Sequence, residues 1–433
     1  MHLFKRVLCL LFLVALPATP APLHADGRWE PANTYAVIVG VLKWEDPSLT
    51  TYPARHRKDQ ELYDTLARCG VSKKKMALLL DEHATLGNIR RSLREVSQRT
   101  GKGATLIFYY AGHGTMTPEG TVNLLNYDVG AGQVKKPALA VADVAGILGR
   151  DFKGARVLLL ADCCHSGGLK EAARTLARAG IHAASLTSAD AGNESTGSWM
   201  FTQTVLDALN GDPSFDANGD GVITLGELAA QVSAAMKYCE MQRSAYSTHG
   251  LSGAYQLVAV RGKRHRLERG PFTLDEYVWA RDGQQMRPGR IVDFTDGKYW
   301  VELSDYSDKR IVKRPAAELA KINFKTYKVG ATVTVTSQGQ PYQAKVLKVA
   351  GDFHRISYRG WPAYWDEWVL SNRIVDPALR AKQPVQVKWE GQWWPAVVLK
   401  TEGKRQYIHY DGFEDSWDEW VTQDRIRFPV HKK

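Results

Sequence analysis

Two short apolar runs, each emptying into a glycine-bearing turn, constrain this chain more than any other feature. Ile107-Phe108-Tyr109-Tyr110 leads into Ala111-Gly112-His113-Gly114, and Leu158-Leu159-Leu160-Ala161 leads into Asp162-Cys163-Cys164-His165-Ser166-Gly167-Gly168. An unbroken apolar stretch of this length is the pattern of a strand buried on both faces, as in a parallel sheet covered by helices. Sites in such sheets open at the carboxyl ends of the strands. Here those ends carry His113 and the Cys163-Cys164 pair, roughly fifty residues apart, a spacing suited to a cysteine/histidine dyad. A thiolate attacks a carbonyl well, and a neighbouring imidazole can take the thiol proton and later return it to the leaving amine. Small residues at the turns let backbone N–H groups approach the reacting oxygen, for which the amides of Gly114 and Cys164 are the candidates.

The remaining periodicity agrees with such a sheet. A strand is expected at Tyr35–Val41, a helix at His56–Cys69, a strand at Met76–Leu80, a helix at Leu86–Gln98 and the histidine strand at Ala104–Tyr110. An edge strand at Asn123–Tyr127, a helix at Leu139–Leu148 and the cysteine strand at Ala155–Ala161 follow. Alternation of this kind predicts a doubly wound α/β fold with a mostly parallel sheet.

The segments Tyr-Tyr-Ala-Gly-His113-Gly and Asp162-Cys163-Cys164-His165-Ser166-Gly167 resemble the motifs of the caspase-like peptidases, in particular the metacaspase and bacterial orthocaspase branch. The resemblance spans roughly Thr34 to Val260, within an expected peptidase region of 33–260. It implies that His113 is the general base and acid and that Cys164, directly before His165, is the nucleophile, with Cys163 at a variable position. Caspases that cut after aspartate use arginines and a glutamine before the nucleophile; this chain has Asp162 there, and Pro53 at the caspase arginine position. A buried carboxylate repels an acidic P1 side chain and pairs with a basic one. Similarity to metacaspases therefore implies an S1 pocket for arginine or lysine lined by Asp59 and Asp162. The usual Gly-Cys ahead of Asp59 is replaced by Arg55-His56. For Asp59 the alternative is an exposed acid at a helix start, where the dipole favours it.

A second motif covers 216–227. Asp216, Asn218, Asp220, the Val222 carbonyl, Thr224 and Glu227 fall at the ligand positions of an EF-hand loop, with Gly221 at the sixth position. Asp212-Pro213-Ser214-Phe215 leaves no proper entering helix, so a half-hand is expected. Calcium is the ion this loop would take, as a structural or regulatory ion; catalysis requires no cofactor.

The segment 1–25 carries Lys5-Arg6, an apolar core at Val7–Leu16 too short to span a bilayer, and alanine-rich sequence up to Ala25. That is the pattern of a secretory signal peptide, and it predicts an exported protein, periplasmic or extracellular, without a membrane span. Cys69, Cys163, Cys164 and Cys239 remain after its removal, and their spacing defines no disulfide. In an oxidising compartment the vicinal Cys163 could trap or protect the reactive thiol.

Beyond a basic linker at 261–271 the chain becomes rich in tryptophan and alternating β-type residues. A constant shift of 52 residues superposes Trp365-Asp366-Glu367-Trp368-Val369 on Trp417-Asp418-Glu419-Trp420-Val421, with Tyr342 on Trp394 and Tyr358 on Tyr410. Such register marks duplicated modules, at 327–376 and 383–428, with a divergent copy at 272–322. They are expected to be small SH3-like β modules, and their sequence resembles the Tudor-knot group. That resemblance implies an aromatic ligand face, for which Trp365, Trp368, Trp394, Tyr410, Trp417 and Trp420 are the candidates; aromatics at strand spacing can equally be module core. The formal charge of +11 suits an acidic partner, yet the last repeat carries nearly as many acids as bases, so nucleic acid is weakly supported. A peptide, an envelope polymer or the peptidase itself are the other ligands considered.

The reading as a whole is an exported cysteine endopeptidase acting on protein or peptide substrates as a monomer, with C-terminal modules that target or regulate it. Lys135-Lys136 and Arg261–Arg269 offer self-cleavage sites. The competing reading is a catalytically idle scaffold whose repeats bind peptide, polymer or nucleic acid.

Overall fold

Strands β1 (Thr34–Gly40), β2 (Met76–Leu80) and β3 (Thr105–Ala111) lie side by side and parallel, and every residue of β1 and β3 is buried. The structure, a computed structural model, describes residues 27–55, 57–130, 136–263, 270–305, 308–375, 379, 381–403, 405–422 and 425–427. The expected signal peptide, His56, Lys135 and most of the basic linker lie outside the described residues.

After β3 the chain makes a small antiparallel sheet from β4 (Gly114–Met116), β5 (Val122–Leu124) and β6 (Leu139–Ala140). It returns to the main sheet as β7 (Arg156–Asp162) and β8 (His182–Thr187), both parallel to β3. A two-stranded pair of β9 (Val222–Thr224) and β11 (Gln256–Ala259) stands apart, while β10 (Ala245–His249) closes the sheet antiparallel to β8. The order is β10-β8-β7-β3-β1-β2. The alternation along each strand explains why both faces are apolar. Val37, Val39, Leu106, Phe108, Val157 and Leu159 pack on one side against helices α2 (Leu86–Gln98), α3 (Val141–Asp151) and α4 (Leu169–Arg178). Ile38, Ile107, Tyr109, Leu158 and Leu160 pack on the other against α1 (Lys58–Arg68), α5 (Met200–Leu209) and α6 (Leu225–Cys239).

Local signals decide the helix ends. The Thr85 hydroxyl accepts from the Asn88 amide to start α2, and Ile89, Leu93 and Val96 form its buried stripe. Two expectations shift. Leu139 and Ala140 pair as β6 before the helix begins at Val141, and the strand expected at Asn123 belongs to the small sheet, not to the edge of the main one. The register that matters most is at the carboxyl ends: Gly40 pairs with Ala111 and Ala111 with Asp162, so three turns leave the sheet at one level.

The C-terminal region contains three antiparallel sheets with one shared topology. The first is built from β12 (Tyr277–Asp282), β13 (Gln285–Thr295), β14 (Lys298–Asp305), β15 (Asp308–Arg314) and β16 (Leu319–Lys321). The second uses β17 (Thr332–Ser337), β18 (Gln340–Ala350), β19 (Phe353–Tyr358), β20 (Glu367–Val369) and β21 (Ile374–Val375). The third uses β22 (Pro384–Trp389), β23 (Gln392–Glu402), β24 (Arg405–Tyr410), β25 (Glu419–Thr422) and β26 (Ile426–Arg427). In each, four strands form a meander and the fifth pairs back onto the first. Val333 faces Ala344 and, 52 residues on, Val385 faces Ala396, so the sequence repeat is also a repeat of strand register. The divergent copy keeps this order without the Asp-Glu-Trp-Val motif because Val278, Ile291, Val301 and Leu303 supply an equivalent core.

Candidate active site

Gly112 makes the turn that delivers His113. Its φ of +148° and the proximity of the Tyr110 hydroxyl and the Val41 carbonyl leave no room for a side chain. His113 then stacks on Trp44 with ring centroids 4.3 Å apart. Its Nε2 lies 2.7 Å from the Thr50 carbonyl, which can only accept, so Nε2 carries the proton. In the neutral ring Nδ1 is therefore the basic atom, and it accepts from the Tyr52 hydroxyl at 2.9 Å. Burial raises the pKa of Tyr52, with Cys164 and Cys163 adding to the effect, and keeps that hydroxyl protonated. Among the described residues these are the two polar partners of the His113 ring, and Cys164 is not one of them.

The cysteine turn is built on the end of β7. Asp162 and Cys163 are buried, Cys164 is half-buried, and His165 adopts a left-handed conformation at φ 56°. Cys163 points into the core and burial pushes its thiol well up. The Cys164 sulfur instead accepts from the Ser195 amide at 3.1 Å. Burial raises the Cys164 pKa, Glu194 and Asp162 add to this, and the Ser195 amide opposes it. Gly114 lies against the Cys164 carbonyl so closely that a Cβ there would collide with it. The structure thus brings together the turn residues Gly112 and Gly114, Cys164 and Asp162.

A cleft of about 230 Å³ opens at this point, lined by Leu42, Tyr52, Pro53, Arg55, Asp162, Cys164 and the wall Ser195–Trp199 among others. Asp162 is its buried acid. One carboxylate oxygen accepts from the Thr202 hydroxyl at 2.7 Å and amide at 3.3 Å. Burial raises its pKa to about 7 against the opposing hydrogen bonds of Thr202 and Ser188, and Glu240 adds to the rise.

Asp59 is placed differently. It is fully buried and does not line the cleft; the Arg57 guanidinium takes its carboxylate at 2.7 Å, reaches the Gly40 carbonyl at 3.0 Å, and pairs with Asp81. The expected two-acid pocket is therefore corrected to one lining acid, because a guanidinium two residues upstream already neutralises the other. Neither the pocket-lining nor the exposed-acid reading of Asp59 includes this pairing, since only the folded chain turns Arg57 back onto the end of β1.

Sequence reasoning also missed Trp44, Thr50, Tyr52, Ser195 and Gln242. They sit in irregular segments without motif spacing, and nothing in the sequence marks them. Gln242, buried, accepts from the Thr196 amide at 2.9 Å and donates to the Ser188 carbonyl at 2.6 Å and the Ser195 hydroxyl at 3.1 Å, bracing the wall from behind.

The loop 216–227 folds around its first and last acids. Asp216 accepts from the amides of Gly219, Asp220 and Gly221, and Glu227 accepts from Ala217 and Thr224 while capping α6 with Thr224. Asn218 donates to Asp220, and β9, holding Val222 and Thr224, pairs with β11. A 3-10 turn at Pro213–Phe215 stands where an entering helix would end.

The six candidate aromatics do not form one face, a second correction. Trp394 and Trp417 join Trp389 and Phe413 in one cluster, with Trp417 48% exposed. Tyr410 is buried and donates to Glu419. Trp420 packs on Tyr407 under Lys400, Trp365 packs on Trp361, and Trp368 faces Arg243 of the preceding region. In each motif the first tryptophan, Trp365 or Trp417, ends a 3-10 turn and the second, Trp368 or Trp420, lies on the strand that follows, so one motif spreads its aromatics over two settings.

The covered sheet thus presents an imidazole and a thiol at adjacent strand ends beside an open cleft, the arrangement expected of a caspase-like fold. A family model described as the caspase domain matches residues 34–256, half of the chain. The chain belongs to the caspase domain family, a cysteine peptidase family. A second model, the Tudor-knot, described as an RNA binding activity-knot of a chromodomain, matches residues 379–428. Metacaspase-4 of Arabidopsis thaliana is 31% identical over 120 residues, which is 25% of this chain and 27% of that protein. The chain therefore matches about a quarter of the length of that relative. Among solved structures, a protein from Geobacter sulfurreducens is 16% identical at a TM-score of 0.35, covering 50% of this chain and 93% of that one. The tandem Agenet domain 3-4 of ADCP1 is 18% identical at a TM-score of 0.12, covering 23% and 78%. Among the described residues no helix is long and apolar enough to cross a membrane.

Proposed function

We propose that the chain is an exported cysteine-type endopeptidase that cleaves after arginine or lysine. The observation that carries the specificity is Asp162, a buried acid lining the cleft beside Cys164. A cationic P1 side chain would take the place of the solvent the carboxylate lacks, and an acidic one would meet it unpaired. In the proposed cycle Tyr52 yields Nδ1 of His113, which takes the Cys164 proton. The thiolate adds to the carbonyl carbon, and the amides of Gly114 and Cys164 hold the oxyanion. Nδ1 then protonates the leaving amine, and a water deprotonated by His113 hydrolyses the thioester.

The loop 216–227 is proposed to bind calcium. Its donors, Asp216, Asn218, Asp220, Val222, Thr224 and Glu227, are all oxygens on one loop, the chemistry a hard cation requires. It would act as a structural or regulatory ion, outside the proton transfers. Self-cleavage near Lys135-Lys136 or in the basic segment 261–269 follows from the same specificity.

The Tyr52–His113 pairing favours one competing reading, an idle scaffold. Peptides with arginine, lysine or aspartate at P1, offered to the full chain with and without calcium, separate the two. Turnover confined to arginine and lysine supports the proposal, turnover after aspartate overturns the specificity, and no turnover on any leaves the scaffold.

A further inference from the structure

The cleft wall is also held from outside, by the second β module. Strand β20 is the edge of that module, and the outward backbone of Trp368 pairs with the side chain of Asn193. Asn193 donates to the Trp368 carbonyl at 2.7 Å and accepts from its amide at 3.1 Å. The Trp368 ring lies under the Arg243 guanidinium at 3.9 Å, and Arg243 is paired with Asp190 at the base of the wall. Gly192 permits the approach, because a Cβ there would fall 2.7 Å from the Asp366 carbonyl. A further tie, Lys237 of α6 to Asp352, lies on a different part of the module.

The seat is specific to this copy. In the third module the equivalent Trp420 covers its own Tyr407 and Lys400. The position of Tyr407 is held in the second module by Arg355, which reaches toward Gly192 instead. Two tryptophans in one repeated motif thus have different partners, one within its module and one on the peptidase.

Asn193 connects that seat to the reacting atom. Its carbonyl accepts from the His165 amide at 2.8 Å, directly after Cys164, and two residues on Ser195 donates its amide to the Cys164 sulfur. No described residue of the second module lines the cleft, so the described part of the module braces the wall from outside. We propose that the second module is a working part of the peptidase: seated on Asn193, it holds the wall so that the Ser195 amide stays on the Cys164 sulfur. Asn193 is on this view a positioning residue. Besides the proposed base His113, the titratable groups bearing on Cys164 are Asp162 and Cys163 from its own turn, Glu194 from the wall and Tyr52 opposite; these oppose the thiolate, and the Ser195 amide offsets them.

The inference rests on Cys164 being the nucleophile but not on what it cleaves, so the test reads the thiol itself. In the full chain, alkylation of Cys164 by iodoacetamide is followed against pH, with the site resolved by peptide mass spectrometry. Lys237→Asp, which sets two acids against each other, and Asn193→Ala should each slow alkylation near neutral pH about tenfold and move its midpoint upward, the weight of one hydrogen bond to a charged group. The rate at the alkaline plateau should be unchanged. Lys237→Asp combined with Asp352→Lys should restore the wild-type curve, which a general loss of folding would not. Unchanged curves in both single variants, faster alkylation on unseating, or a reversed pair that recovers thermal stability without reactivity would each overturn the proposal. Failure of every P1 peptide would overturn the proteolytic reading while leaving these curves as they are.

Discussion

The hydroxyl of Tyr52 lies 2.9 Å from Nδ1 of His113 and so occupies the lone pair that, in the proposed cycle, would receive the Cys164 proton. Trp44 and the Thr50 carbonyl fix the ring on its other sides, so the imidazole is oriented but its basic atom is covered. Tyr52→Phe removes the competitor and keeps the packing. Loss of one neutral hydrogen bond, about 1 kcal/mol, should raise kcat/KM for a P1-arginine peptide roughly fivefold. A fall of tenfold or more would mean that Tyr52 relays the proton instead of blocking it.

The vicinal cysteines separate by environment. Cys163 is buried in the core at 3% exposure, whereas Cys164 lines the cleft with the Ser195 amide on its sulfur. Cys164→Ala and His113→Ala should each lower kcat by about a thousandfold or more. Cys163→Ser should change kcat by less than fivefold, measured on the same peptide.

In the proposed pocket Asp162 would tie specificity to pH. In the unfolded chain its carboxyl titrates near the ordinary 3.8, and in the folded chain at about 7, so between those values the folded form holds a proton that the unfolded form has released. The stability this confers is present in acid and lost as pH rises through 7. Asp162→Asn should therefore raise the thermal midpoint at pH 8 and matter little at pH 4. On the order of 4 kcal/mol is expected, since the carboxyl moves from 3.8 to about 7 and each tenfold change in proton affinity corresponds to about 1.4 kcal/mol. A P1 cation requires the ionised form, so KM for arginine peptides should fall as pH rises from 6 to 8 in the wild type and lose that dependence in the variant.

Arg57 and Asp59 form a buried pair, with Asp81 as a third partner. Arg57→Ala leaves Asp59 buried without its counter-ion and should destabilise by about 3–5 kcal/mol in urea unfolding. At temperatures where the variant is folded, its preference among arginine, lysine and aspartate at P1 should be that of the wild type. A changed preference would return Asp59 to the substrate pocket.

Calcium should raise the thermal midpoint of the full chain in a saturable titration, and Asp216→Ala and Glu227→Ala should remove the response. An identical response in wild type and variants would assign the ion elsewhere.

Burial on both sheet faces leaves an unbroken apolar run, and that is why β1, β3 and β7 could be read residue by residue, within one position at their ends. The same local grammar gave α2 its Thr85 cap and the repeats their 52-residue register. Helix α5 and strands β8 and β10 carried weaker local signals and took their places from packing on the sheet already formed, whereas α4 presents a regular buried stripe of Leu169, Ala172, Ala173 and Leu176.

The strand-end motifs alone were enough to put a histidine and a cysteine at neighbouring turns, because strand period and glycine turns are properties of adjacent residues. Which partners those side chains keep is a property of distant segments meeting. Arg57 folding back over Asp59, Tyr52 covering His113, the Ser195 amide meeting the Cys164 sulfur 31 residues along the chain, and Trp368 seated on Asn193 across 175 residues all depend on backbone that follows no period. Hydrogen bonds and ion pairs of this kind are chosen by proximity after collapse, and proximity is set by the whole packed chain.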